Sequence, residues 1–93
     1  MKSKVKVVLN DKLEGIVEDL RSAQSLYNEG YGSLEGETLR LHPLEVAYLR
    51  YKDRIEIFKN SKKVELSEFF EMLHNIDKLF WVKFVVYYDL KSR

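Results

Sequence analysis

The chain has 93 residues, 45% of them hydrophobic and 13% aromatic, which supplies enough apolar surface for one core and too little length for two. Its 16 Lys and Arg against 15 Asp and Glu leave a net charge of only +1, which argues against a polybasic nucleic-acid clamp. No cysteine is present, so disulfide frameworks, zinc knuckles and thiol nucleophiles are excluded.

Met1 to Lys6 alternates basic residues with others and enters no apolar run with a small-residue cleavage site, so it does not read as a signal peptide. Val5, Val7 and Leu9 then alternate with Lys4, Lys6 and Val8. Asn10-Asp11-Lys12 offers turn chemistry, and Leu13 to Val17 resumes the extended pattern, which predicts a β-hairpin. Asp19 suits the N-cap of a helix over Leu20 to Glu29, with Leu20, Ala23, Leu26 and Tyr27 at helical spacing and Gly30 as its left-handed exit. Tyr31 to Gly36 reads as a loop, and Thr38 to Leu41 as a half-buried strand.

His42-Pro43 starts a second helix, since proline in the first turn gives up no hydrogen bond; Leu44, Ala47, Tyr48 and Tyr51 mark its apolar stripe, and Asp53 its exit. Ile55 to Phe58 and Val64 to Leu66 flank the turn Asn60-Ser61-Lys62 as a second hairpin. Ser67 is the expected N-cap of a helix carrying Phe69, Met72, Leu73 and Ile76 and stopping near Asn75.

From Asp77 onward local rules conflict, because Phe80 to Tyr88 is rich in residues of strand propensity. On a helical wheel, Leu79, Val82, Val86 and Leu90 make one aliphatic stripe, with Phe80, Phe84 and Tyr87 beside it and Trp81 and Tyr88 further round. A helix so apolar around its circumference has to be covered on more than one side. The expected arrangement lays one stripe on the β-sheet and leaves the other for a neighbour. The longest apolar stretch here, Phe84 to Tyr88, is far short of the roughly 20 residues of a membrane span. The missing cysteines and leader point to a cytoplasmic, intracellular protein that takes no membrane as partner.

Few residues carry chemistry. Gly30 to Gly36 has G-x-G-x-x-x-G spacing after a helix, which fails the dinucleotide fingerprint. His42 and His74 lie in different elements and have no partner at metal-ligand spacing, so no metal and no cofactor is expected. Glu45, Glu56, Glu65, Glu68 and Glu71 read as solvated faces, not as an acid/base pair. Lys59, Lys62 and Lys63 form the densest basic cluster and are the candidate RNA contact. Seven of the twelve aromatic residues fall between Phe69 and Tyr88, which reads as core and docking surface.

Three stretches, Ser22 to Gly32, Leu39-Arg40-Leu41-His42-Pro43-Leu44-Glu45-Val46-Ala47-Tyr48-Leu49 and Val86-Tyr87-Tyr88-Asp89-Leu90-Lys91-Ser92-Arg93, together resemble the N-terminal domain of archaeal tRNA-intron splicing endonucleases. The resemblance covers almost the whole chain and rests on the joint spacing of short signatures, an L-x-P-x-E-A-x-Y-L type helix and a V-Y-x-D-L-x-x-R ending among them. It implies an enzyme that cuts precursor tRNA at bulge-helix-bulge junctions without metal, leaving 2′,3′-cyclic phosphate and 5′-hydroxyl ends. It also implies that the catalytic Tyr, His and Lys belong to a following C-terminal nuclease domain, expected to be absent from a chain stopping at Arg93. No catalytic residue is therefore assigned.

The expected fold is α+β, in a single domain over residues 1–93. About three helices pack on a small, largely antiparallel sheet, and a long last helix leads toward the absent catalytic domain. The expected function is structural and assembly-related within a homo- or hetero-oligomer that meets precursor tRNA through the full-length enzyme. Trp81, Phe84 and Tyr88 are the expected junction or self-association surface. The alternatives are a non-catalytic structural subunit of the same enzyme and a stand-alone RNA- or protein-binding module sharing the fold.

Overall fold

The structure, a computed structural model, describes residues 4–92. Met1 to Ser3, read above for a leader, and Arg93, which closes the D-L-x-x-R signature, lie outside the described residues. Val5–Leu9 forms β1 and Gly15–Val17 forms β2, antiparallel with Val8 opposite Ile16. Asn10 shapes the turn between them: its Oδ1 accepts from the backbone N–H groups of Lys12 and Glu14, each at 2.9 Å, the local bonding that draws Asn into turns. Leu13 adopts a φ of 61°, so the return strand starts at Gly15 and not at Leu13.

Helix α1, Leu20–Asn28, is capped as expected by Asp19, whose Oδ2 accepts from the Ser22 N–H at 2.9 Å. The expected loop over Tyr31 to Gly36 is a correction: Ser33–Glu35 is a strand, β3, paired antiparallel to β4, Thr38–Leu41. All three β3 side chains are exposed, so the strand carries no alternation to read; backbone hydrogen bonds to β4 define it. Helix α2, Pro43–Tyr51, starts at His42, whose Nδ1 accepts from the Leu44 N–H at 3.1 Å, while Glu45 Oε1 accepts from the His42 N–H at 2.9 Å. Two orphan donors of the helix end are thereby satisfied. Asp53 leaves the helix at a φ of 61°.

Strands β5, Ile55–Lys59, and β6, Lys62–Val64, form the second hairpin around Asn60 and Ser61, both at positive φ. The return strand is earlier than the expected Val64 to Leu66, because Val64 pairs with Ile57 and Leu66 already opens α3, Leu66–Ile76. Glu65 occupies the N-cap position expected for Ser67, its N–H donating to Glu68 Oε1 at 3.2 Å. The contested last segment is helix α4, Phe80–Lys91.

One sheet runs in the order β3-β4-β2-β1-β5-β6. Only β1 and β5 are parallel, with Val7 opposite Ile57; every other neighbouring pair is antiparallel. This is the α+β fold read from the sequence, with a larger sheet. Val7, Leu9, Val17, Leu39, Leu41, Ile55 and Ile57 are buried on one face, where α1 packs on β2, β3 and β4 and α2 packs on β5. Four consecutive α2 residues, Val46, Ala47, Tyr48 and Leu49, are buried, since the sheet covers one side of that helix and α3 and α4 the other. The expectation that α4 lays a stripe on the sheet is thus corrected: with α1 and α2 occupying that face, α4 packs chiefly on α2 and α3.

At Gly15 strand β2 lies close against Val7 and Val46. A Cβ there would stand 2.5 Å from Val7 Cγ1 and 2.7 Å from Val46 Cγ2, so β2 and α2 meet only because the side chain is missing. Gly15→Ala should destabilise the fold by about 1–3 kcal/mol, the usual cost of overpacking a closed core. At Gly36, in open space at a φ of 62°, the same change should cost about 1 kcal/mol of backbone strain. Urea denaturation of both variants measures the difference, and a Gly15→Ala protein as stable as the parent would refute the packing.

Candidate functional site

Helix α4 is set at its start by Asp77, whose Oδ1 accepts from the Leu79 N–H at 3.0 Å and whose Oδ2 accepts from Lys83 Nζ at 2.6 Å. From there the aromatic side turns inward. Phe80 and Phe84 are buried, while Leu79, Val82, Val85, Val86 and Leu90 are exposed.

Trp81, Phe84 and Tyr88 come together as their helical spacing requires, lining with Tyr51 and Val85 an apolar notch of about 200 Å³. They are not equivalent. Phe84 is 6% exposed and forms the floor, with its ring centroid 5.2 Å from Phe70. Trp81 is 49% exposed, its ring resting 4.7 Å from Phe70. Tyr88 is half-buried, edge-on to Tyr51 at 5.4 Å and to Tyr48 at 5.6 Å, with Lys52 Nζ 5.2 Å from its ring. These edge-to-face contacts suit the ring quadrupoles and hold a preformed notch whose rim is Trp81, Tyr51 and Tyr88.

The lysine cluster is divided. Lys59 pairs with Lys62 and Phe58 with Lys63 across the hairpin, so Lys59 and Lys62 project from one face and Lys63 from the other. Lys63 Nζ sits 3.0 Å from Glu56 Oε2. On that outer face Val8, Ile16 and Phe58 are half-buried, with Lys6 Nζ 5.0 Å from the Phe58 ring.

A cleft of about 550 Å³ at the start of α2 was not legible in the sequence; Gly30, Gly32, Arg40, His42, Glu45 and Tyr87 are among its lining residues. Glu45 organises it, because its Oε2 accepts from the Gly32 N–H at 2.9 Å while Oε1 holds the His42 N–H. The glycine-loop amide is therefore committed to a carboxylate, and a Cβ on Gly32 would stand 2.6 Å from the Arg40 carbonyl oxygen. Burial first, then the charge of Glu45, raises the Tyr87 hydroxyl far above its ordinary range. Arg40 is paired with Glu35 at 2.9 Å, and Lys91 Nζ lies 4.4 Å from the Tyr31 ring. This closes the end of α4 onto the loop after α1. His74 is exposed on α3. Among the described residues no group of three or more His, Asp or Glu side chains could hold a metal, and no described helix is long and apolar enough to cross a membrane.

Comparison with known proteins gives a match to the family described as tRNA intron endonuclease, N-terminal domain, over residues 5–70. That match ends within α3, and α4 lies beyond it. The chain is similar to a tRNA-splicing endonuclease of Pyrococcus horikoshii, 34% identical over 74 residues, which are 78% of this chain and 44% of that protein. It is similar to one of Thermococcus kodakarensis, 36% identical over 76 residues, 81% of this chain and 45% of that protein. With one of Methanosarcina acetivorans it is 32% identical over 88 residues, 91% of this chain and 25% of that protein. The chain thus spans less than half the length of these relatives.

The anchoring of α4 has a pH signature. The hydrogen bond from Lys83, then that from the Leu79 N–H, holds the Asp77 carboxyl below its usual range, and the Lys4 ammonium does the same for Asp53. In the unfolded chain such groups titrate near about 3.9, so the unfolded state binds protons more readily as acid is added. The contribution of both pairs is complete above about pH 4 and is lost as pH falls through the lowered native values. Asp77→Asn should flatten the acid side of a plot of melting temperature against pH while leaving a residual slope from Asp53, Asp19 and Glu29, whose carboxyls are also held low. An unchanged slope would show that Asp77 does not anchor the helix.

Proposed function

The chain belongs to the tRNA intron endonuclease N-terminal domain family, and from that membership we propose that it serves as the structural and assembly domain of a tRNA-splicing endonuclease. The observation that carries the reading is the match over residues 5–70, joined to relatives named tRNA-splicing endonuclease in which the matched part is under half of the protein. In this reading the whole chain acts as one domain, and its partner is a nuclease domain that supplies the catalytic groups. The complete enzyme is an oligomer cutting precursor tRNA at bulge-helix-bulge junctions. Cyclic phosphate and 5′-hydroxyl ends arise when a ribose 2′-oxygen attacks the neighbouring phosphorus and the 5′-oxygen leaves, a reaction of the RNA's own groups that requires no metal.

The residues of this chain do the holding. Trp81 and Tyr88 form the rim, and Phe84 the floor, of a notch that takes an apolar side chain of the nuclease domain, each buried aromatic contributing on the order of 1.5–3 kcal/mol. Lys59 and Lys62 share a hairpin face and give weak electrostatic help toward RNA phosphates, while Lys63 is occupied by Glu56.

Incubated in a chelator with a bulge-helix-bulge RNA, the chain by itself should leave the RNA intact; specific cleavage at the junctions would overturn the placement of the chemistry in another domain. Uncut RNA should bind weakly, with the affinity falling as salt rises. Exchanging Lys59 and Lys62 for alanine should lower the log–log salt slope by about 1–2, the value for one or two phosphate contacts. Trp81→Ala should weaken association with a relative's nuclease domain by about tenfold or more, read by calorimetry, and equal affinity would remove the notch from the junction.

A further inference from the structure

On α3, the spacing of Ser67, Phe70, Glu71 and His74 sets all four on one stripe of the helix. Together with Trp81 of α4 they line a groove of about 460 Å³. The indole therefore borders two hollows, this groove and the notch of about 200 Å³ that it shares with Tyr51, Phe84, Val85 and Tyr88. The two differ in chemistry. No charged side chain lines the notch, whereas the groove sets the carboxylate of Glu71 beside the rings of Phe70 and Trp81.

Charge selects the occupant. Glu65 and Glu68, at the start of α3, are committed: Glu65 Oε2 lies 3.5 Å from Arg50 Nη2, and Glu68 Oε1 accepts from the Glu65 N–H. The Glu71 side chain takes no ion pair and no hydrogen bond among the described residues, and no lysine or arginine lines the groove. Trp81 is half exposed, so part of its ring surface stands open to a ligand. An aromatic ring attracts a cation, and a free carboxylate pairs with one. Arginine meets both demands at once, because its flat guanidinium stacks on a ring and still turns N–H groups to a carboxylate, while the ammonium of lysine is compact and strongly hydrated. We infer that the groove between α3 and α4 is an arginine-binding site, in which a guanidinium stacks on Trp81 and pairs with Glu71. The arginine is carried by a polypeptide partner whose neighbouring apolar side chain enters the notch on the other side of the indole. That the partner is the nuclease domain rests on the junction role proposed above; the recognition of arginine rests on the groove alone.

Trp81 is the one tryptophan of the chain, so its indole N–H resonance reports on the groove directly. Titration with acetyl-Leu-Arg-amide should shift that resonance saturably, with a dissociation constant on the order of millimolar. The citrulline peptide, equal in shape and without the charge, should bind about fivefold or more weakly. Glu71→Gln should weaken the arginine peptide by about two- to fivefold and leave the citrulline peptide unaffected. Its circular dichroism and melting should match the parent, since Glu71 is exposed. A resonance that does not move, equal binding of the two peptides, or arginine binding untouched by Glu71→Gln overturns the inference. A relative's nuclease domain separates the inference from the junction reading. Weaker association with that domain in both Trp81→Ala and Glu71→Gln supports the two together. Loss in Trp81→Ala alone overturns the arginine contact at the junction and keeps the notch, whereas arginine-peptide binding without any nuclease-domain binding supports the site and overturns the junction.

Discussion

Helix α2 is buried on two sides, and most of the fold follows from that constraint. Four consecutive residues, Val46 to Leu49, are shielded from solvent, which no amphipathic surface helix requires. One side needs the sheet, and the other needs α3 and α4. Gly15 allows the approach to the sheet, and Tyr48 meets both Tyr87 and Tyr88 of α4 at 5.6 Å. The last helix is therefore a lid over α2, and its orientation is set by what α2 must hide.

That lid has more apolar surface than one side of contact can use. Its aromatic residues close over α2 and α3, Phe80 and Phe84 reaching the core, and its aliphatic residues remain in solvent. Between these two sides lies the notch of Tyr51, Trp81 and Tyr88 over Phe84. A lone domain gains little by displaying such surfaces, because apolar area in water opposes solubility and folding alike. The charge elsewhere is restrained, with lysines such as Lys4, Lys63 and Lys83 tied to carboxylates, which argues against a polyanion clamp.

The two ends of α4 are held by different means. Asp77 fixes the start through a backbone amide and Lys83, whereas Lys91 holds the end against the Tyr31 ring. The loop carrying Tyr31 is in turn tied to α2 through Gly32 and Glu45, and Glu29 just before it meets Arg54 at 2.8 Å. Most of these links are polar and at least partly exposed, so each is individually modest. Their combined effect is to register α4 on the remainder of the domain.

Local chemistry was readable wherever a signal depends on neighbours in sequence. Asp19 and His42 cap the helices assigned to them, Asp53 ends α2, and the Asn60-Ser61 turn closes its hairpin, because caps and tight turns are decided within a few residues. The sequence also held the two stripes of α4, since periodicity survives without a partner. It did not contain which stripe faces inward. That choice depends on α1 and α2 having already taken the sheet face, so that α4 packs on α2 and α3, where Phe80 and Phe84 reach the core. Strand β3 escaped for a related reason: its partner β4 lies across the Gly36 turn, and its exposed side chains record nothing of that bond. The split of Lys59 and Lys62 from Lys63 and the cleft built on Glu45 are likewise products of register and of long-range contact, which only the folded chain supplies.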